Sequence, residues 1–151
     1  MKEVIKLSHS KEETMDLARS LANKLPNGIT LTLTGDLGAG KTTFVRGLAE
    51  GLHINEVVQS PTFNIMKIYL KGDRPLIHID AYRLNDVNTD IGLEEYIGYE
   101  NGLTMIEWPL FIEKLLPKDT IYIELTHNGE DKRTIKISSD NITLLEALKN
   151  A

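Results

Sequence analysis

The chain has 151 residues, and 41% of them are hydrophobic, too many for a disordered chain; this length predicts a single domain, residues 1–151, with a substantial core. No apolar run approaches the roughly 20 residues of a membrane helix, the opening Met1-Lys2-Glu3-Val4-Ile5 lacks the apolar stretch of an export signal, and the absence of Cys excludes disulfides, thiolate metal sites and a Cys nucleophile, so the expectation is a cytoplasmic protein. With 17 Lys and Arg against 22 Asp and Glu, the net charge of -5 argues against holding nucleic acid by the overall field.

In chain order, Glu3–Leu7 reads as a short strand. Ser10-Lys11-Glu12-Glu13 has the pattern of a capping box, and Leu17, Ala18, Leu21, Ala22 and Leu25 recur at helical spacing behind it, so a helix is predicted to about Lys24. Pro26-Asn27-Gly28 stops it. Ile29–Thr34 alternates and is rich in β-branched residues, which predicts a strand. A glycine-rich turn follows, then a helix from about Lys41 to Leu52. Asn64–Leu70 and Pro75–Asp80 read as an antiparallel pair joined by a turn at Lys71-Gly72-Asp73-Arg74. Ile91–Ile97 reads as a short helix ending at Gly98, Leu103–Trp108 as a buried strand, and Leu110–Leu116 as a helix stopped by Pro117. Thr120–Thr126 and Arg133–Ser138 flank the hairpin signal Asn128-Gly129, and Asn141–Lys149 closes the chain as a helix. The fold class is α/β: a mixed β-sheet flanked by helices, with crossovers long enough for parallel pairing.

Gly35-Asp36-Leu37-Gly38-Ala39-Gly40-Lys41-Thr42 satisfies G-x-x-x-x-G-K-[ST] at every fixed position, directly after a predicted strand and before a predicted helix. Glycines let such a backbone wrap a phosphate with its N–H groups turned inward, and the helix N-terminus adds about half a positive charge there. Lys41 supplies a mobile cation for the β- and γ-phosphates, and the Thr42 hydroxyl is a Mg²⁺ ligand of the right kind. Asp36, Leu37, Gly38, Ala39, Gly40, Lys41, Thr42 and Thr43 are thus the expected nucleotide-binding stretch of a P-loop NTPase-like sheet.

A phosphate-bound Mg²⁺ and an attacking water need carboxylates beyond the loop. Asp80 ends the apolar strand Leu76-Ile77-His78-Ile79, and Glu107 closes another, Leu103-Thr104-Met105-Ile106. A charge in so apolar a run is costly unless paired or metal-bound; both are candidate catalytic and metal residues, the alternatives being a turn or capping Asp and a salt-bridged Glu. Ser60-Pro61-Thr62-Phe63 lies where P-loop proteins often sense the γ-phosphate, so Thr62 is a candidate contact or part of an ordinary turn. Trp108, the single Trp, either packs against nucleotide or serves the core. His78 reads as a hydrogen-bonded core residue, and Arg83 either pairs with a nearby acid or reaches phosphate. Guanine specificity lacks support: the one Asn-Lys pair, Asn23-Lys24, precedes the loop, and Arg83 stands where a D-x-x-G switch needs Gly. Adenine is the expected base. No Arg cluster marks a kinase lid, yet a free-standing small-molecule kinase using the same loop is the alternative reading.

These segments, with His78-Ile79-Asp80-Ala81-Tyr82-Arg83-Leu84, Gly92-Leu93-Glu94-Glu95-Tyr96 and Glu107-Trp108-Pro109 in the same order, resemble the TsaE (YjeE) family, the bacterial ATPase of tRNA threonylcarbamoyladenosine biosynthesis. Leu110 departs from the polar residue usual there. The resemblance implies Mg-ATP binding and slow hydrolysis by the isolated chain, stimulated by a TsaB–TsaD complex that this protein resets or gates, with tRNA met only through that complex. It further implies Lys41 on phosphate, Thr42 and Glu107 on Mg²⁺, Asp80 supporting metal and water, Thr62 in a switch-like loop and Trp108 near the nucleotide. The missing arginine finger agrees with slow intrinsic turnover, since a finger is worth about 10³–10⁵ in rate.

The acidic excess is local. Between Leu84 and Leu116 seven acids (Asp86, Asp90, Glu94, Glu95, Glu100, Glu107, Glu113) face one base, Lys114. Glu107 aside, this block is either a solvated face or a docking surface for a basic partner.

Overall fold

The computed structural model describes residues 1–36, 38–56, 58, 66–81, 95–108 and 113–149. Ten elements follow one another: β1 (Lys2–Ser8), α1 (Lys11–Lys24), β2 (Thr30–Gly35), α2 (Lys41–Gly51), β3 (Met66–Tyr69), β4 (Leu76–Asp80), β5 (Leu103–Glu107), β6 (Ile121–His127), β7 (Arg133–Ser139) and α3 (Ile142–Lys149). The strands form one sheet of seven in the order β1-β7-β6-β2-β5-β4-β3. β2 lies between β5 and β6 and runs parallel to both, and β4 runs parallel to β5. β1/β7, β6/β7 and β3/β4 are antiparallel, so the mixed sheet predicted from the crossovers is present.

Alternation along the strands builds two apolar layers. Leu31 and Leu33 of β2, Met105 of β5, Ile123 and Leu125 of β6 and Ile137 of β7 join the cluster that also takes in Leu21 of α1, Phe44 and Leu48 of α2 and Leu145 of α3. Ile77, Ile79 and Ile106 form a smaller cluster with Tyr96, Ile97 and Leu116 packed on it. The parity of β4 and β5 therefore puts His78, Asp80 and Glu107 on the α2 side of the sheet, away from that smaller cluster.

The local signals read in the sequence account for the helix ends. The Ser10 side chain accepts from the Glu13 N–H at 3.1 Å, and Glu13 reaches back to the His9 N–H at 2.7 Å, one residue earlier than the standard reciprocal bond. Asn141 caps α3 through the Leu144 N–H at 3.1 Å. Two expectations shift. β5 ends at Glu107, because Trp108 turns into the left-handed region at φ 55°. The hairpin loop is five residues long: Asn128 N–H donates to Lys132 O at 2.9 Å and Lys132 N–H to Gly129 O at 2.8 Å. Of the helix predicted over 91–97, only 95–97 lie within the described residues and form a turn; 113–115, from the helix predicted over 110–116, form one 3₁₀ turn. Among the described residues no helix is long and apolar enough to cross a membrane.

Candidate phosphate-loop site

The site gathers at the carboxyl ends of parallel strands, where open α/β sheets hold ligands. Gly35 ends β2, Asp80 ends β4 and Glu107 ends β5. Asp80 and Glu107 are directly paired in register, and Glu107 also sits opposite Leu33 of β2. The two carboxylates singled out from separate stretches are thus neighbours, Glu107 one strand and Asp80 two strands over from the start of the glycine-rich loop.

Gly35 admits no side chain, since a Cβ there would stand 2.8 Å from the Leu125 carbonyl of β6. Gly40 enters α2 at φ 99°, a conformation costly for any L side chain. Among the described residues no side chain caps α2, which leaves its first N–H groups to whatever occupies the loop. A cavity of about 290 Å³ opens here, lined by Asp36, Gly38, Gly40, Lys41, Thr42 and Thr43, with Lys11, Thr14, Asp131 and Arg133 around it. On the other face a larger cavity of about 890 Å³ runs along Thr32, Thr34, Tyr122 and Glu124 to Trp108; Asp36 belongs to the walls of both.

Lys41 donates to the Gly35 carbonyl and lies over the Trp108 ring, 4.3 Å from its centroid. A cation on an indole face gains about 0.5–1 kcal/mol at an exposed site and more when desolvated. Trp108 itself is half-buried, and its left-handed backbone costs on the order of 1–3 kcal/mol. The lysine thus has an alternative anchor inside the loop, and the Trp is tied to the loop's cation.

Glu107 is buried, 5% exposed, within a wholly buried strand. His78 compensates it: His78 Nε2–H donates to Glu107 Oε2 at 2.6 Å, both side chains being shielded from solvent. Among the described residues His78 Nδ1 has no hydrogen-bond partner. The core histidine expected from the sequence therefore also steers a candidate site carboxylate, because β4 and β5 pair in parallel. That link has no signature in the sequence. Nor does the contribution of Arg133, whose guanidinium bonds the loop from a hairpin 94 residues away.

Thr42 is exposed at the start of α2. With Asp80 and Glu107 it offers hard oxygen donors, a set that suits Mg²⁺ supplemented by phosphate oxygens and water. Among the described residues no group of three or more His, Asp or Glu forms a self-sufficient metal cage. Leu37, Thr62 with its Ser60–Phe63 segment, and Arg83 lie outside the described residues. In the acidic block, Glu95, Glu100 and Glu113 are exposed while Glu107 is buried; Asp86, Asp90 and Glu94 lie outside the described residues.

A parallel strand, a G-x-x-x-x-G-K-T loop and a helix, with carboxylates at the ends of neighbouring strands, define the architecture of a P-loop protein. The family model "Threonylcarbamoyl adenosine biosynthesis protein TsaE" matches residues 8–135, and the chain belongs to that family. It is 45% identical over 128 residues to the tRNA threonylcarbamoyladenosine biosynthesis protein TsaE of Bacillus subtilis, covering 85% of this chain and 80% of that one. The TsaE of a Nostoc species is 39% identical over 144 residues, 91% of this chain and 87% of its own. The crystal structure of Bacillus subtilis YdiB superposes with a TM-score of 0.84 at 37% identity, over 99% of this chain and 95% of that one.

Proposed function

We propose that this TsaE protein is the ATP-hydrolysing component of bacterial tRNA threonylcarbamoyladenosine formation, working in the cytoplasm with TsaB and TsaD and meeting tRNA through them. The observation that carries the reading is the convergence of Lys41, Asp80 and Glu107 on one end of the sheet, beside a helix start with no side-chain cap. Lys41 exchanges the Gly35 carbonyl for the β- and γ-phosphates of ATP, and the N–H groups of residues 38–43 donate to the phosphate oxygens. Thr42, Asp80 and Glu107 are the residues to hold Mg²⁺, which supplies charge neutralisation on the phosphates. Asp80 and Glu107 also orient the attacking water, and His78 keeps Glu107 in place. Trp108 follows Lys41 and so lies near the nucleotide.

The test is hydrolysis of Mg-ATP by the isolated chain and after addition of TsaB and TsaD. Slow release of inorganic phosphate, stimulated strongly by the partners and abolished by Lys41→Ala, is the expected outcome. Fast turnover alone with no response to the partners, or transfer of phosphate to a metabolite, would sink the reading. Lys41→Ala should also weaken Mg-ADP binding at least tenfold, because a point charge on the phosphates is lost.

A further inference from the structure

We infer that Arg133, at the first position of β7, is the positioning residue that shapes the phosphate loop. The inference rests on the nucleotide reading above and extends it to a residue outside every motif of the site. Arg133 Nε–H donates to the Ala39 carbonyl at 2.9 Å and an Nη2–H to the Gly38 carbonyl at 3.1 Å. Nη1 donates to the carbonyls of Glu130 and Lys132, both at 2.9 Å. One planar fork therefore joins the β6–β7 hairpin loop to two consecutive peptides of the glycine-rich loop. A Cβ on Gly40 would lie 3.6 Å from Arg133 Nε, so the guanidinium packs directly against the residue that opens α2.

The consequence follows from peptide geometry. In a planar trans peptide the N–H points opposite to the C=O. Holding the Gly38 and Ala39 carbonyls on the Arg133 side turns the N–H groups of Ala39 and Gly40 away from it. A concave array of N–H groups is what an anion-binding loop needs. Without a ligand such a loop has two left-handed glycines, Gly38 at φ 83° and Gly40 at φ 99°, and is held from within by the Ala39 N–H on the Asp36 carbonyl at 2.9 Å and by Lys41 on the Gly35 carbonyl. Arg133 adds two bonds from outside the loop, on the Gly38 and Ala39 carbonyls, so that less ordering is left for the moment of binding. Its charge also stays close to the loop, since among the described residues no carboxylate forms an ion pair with it. Arginine suits the task because its rigid fork bonds two fixed acceptors at once; a lysine ammonium is a single point donor on a flexible stem.

The experiment is calorimetric titration of Mg-ADP into wild type, Arg133→Ala, Arg133→Lys and Lys41→Ala, with thermal melts of each and steady-state hydrolysis of Mg-ATP. Arg133→Ala should weaken Mg-ADP about tenfold, as expected for losing charge-assisted bonds that organise a site. KM for Mg-ATP should rise while kcat changes less than about threefold, since only binding geometry is disturbed. Arg133→Lys, which keeps the charge and the fold, should remain impaired. Wild-type affinity in either variant, full rescue by Lys included, would overturn the positioning role. Should Arg133→Ala fail to fold, Arg133→Lys alone decides on the same criterion. A wild type that binds no Mg-ADP defeats the nucleotide reading and this inference together; normal Arg133 variants beside a defective Lys41→Ala defeat only the inference.

Discussion

In the proposed reaction Glu107 is the side chain on which metal, water and a buried partner would meet. Its carboxylate closes a strand whose five residues are all buried, and the His78 bond at 2.6 Å offsets the desolvation of that charge. Glu107→Gln keeps the shape and an acceptor for the His78 N–H but removes the charge. The expected outcome is a loss of hydrolysis of about 10²-fold or more with a loss of Mg-ADP affinity at least about tenfold smaller, measured by phosphate release and calorimetry. Equal losses in both would assign Glu107 to ground-state binding. At this scale the sequence was informative where chemistry breaks a pattern: an acid ending an apolar run is visible in Leu76–Asp80 and Leu103–Glu107 without coordinates. It was silent where a role depends on register. His78 reaches Glu107 only because the parallel strands align Asp80 with Glu107. Arg133 reaches Gly38 and Ala39 only because the C-terminal hairpin lies beside β2. An isolated Arg after a loop carries no periodic or motif signal.

Among the elements, α1 and α2 show how closely the P-loop helix is held. Arg19 of α1 bonds Glu50 of α2 at 2.7 Å and also bonds Asp16. Beneath them a Cβ on Gly47 would come within 2.7 Å of the Met15 carbonyl and 2.9 Å of Ala18 Cβ. Gly→Ala in a helix ordinarily gains about 1 kcal/mol from backbone propensity. Here the sign should reverse: Gly47→Ala is expected to lose about 1–3 kcal/mol through overpacking, read as a lower midpoint in urea unfolding with an unchanged slope. Stabilisation by the substitution would mean that the helices can separate without cost. The helices themselves were legible from capping and periodicity to within a residue. Their contact was not, because close approach depends on which small residues face each other. The β6–β7 hairpin was legible too, while its five-residue loop departs from the two-residue turn that Asn128-Gly129 favours.

For the molecule as a whole, alternation set two faces on one sheet, and the open face carries Tyr122 in the larger cavity. Burial first, then the negative charges of Asp140 and Glu113, hold its phenol above the ordinary value of 10.0. A phenol whose folded value is raised contributes stability that is complete below the unfolded value and is lost as pH rises through the folded one. Stability should therefore fall as pH climbs past about 10, and Tyr122→Phe should flatten that alkaline limb in denaturant melts taken at successive pH values. An identical limb in both proteins would remove Tyr122 as its source. The fold class was readable from the alternation of strand and helix patterns. The strand order was not, because no local signal tells β2 that its neighbours are β5 and β6.

That placement of β2 has a consequence for how the protein is made. The loop at its end leaves the ribosome early, yet both flanking strands and Arg133 are encoded some 70 to 100 residues later. At roughly 5–20 residues per second, several seconds of synthesis separate the two. During that interval the nascent glycine-rich loop has neither its sheet nor its clamp, and sequence-distant pairing of this kind is slow to form. The sheet around the loop is thus completed only when the last third of the chain has emerged, and a prematurely terminated product carries the full motif without the architecture that gives it shape.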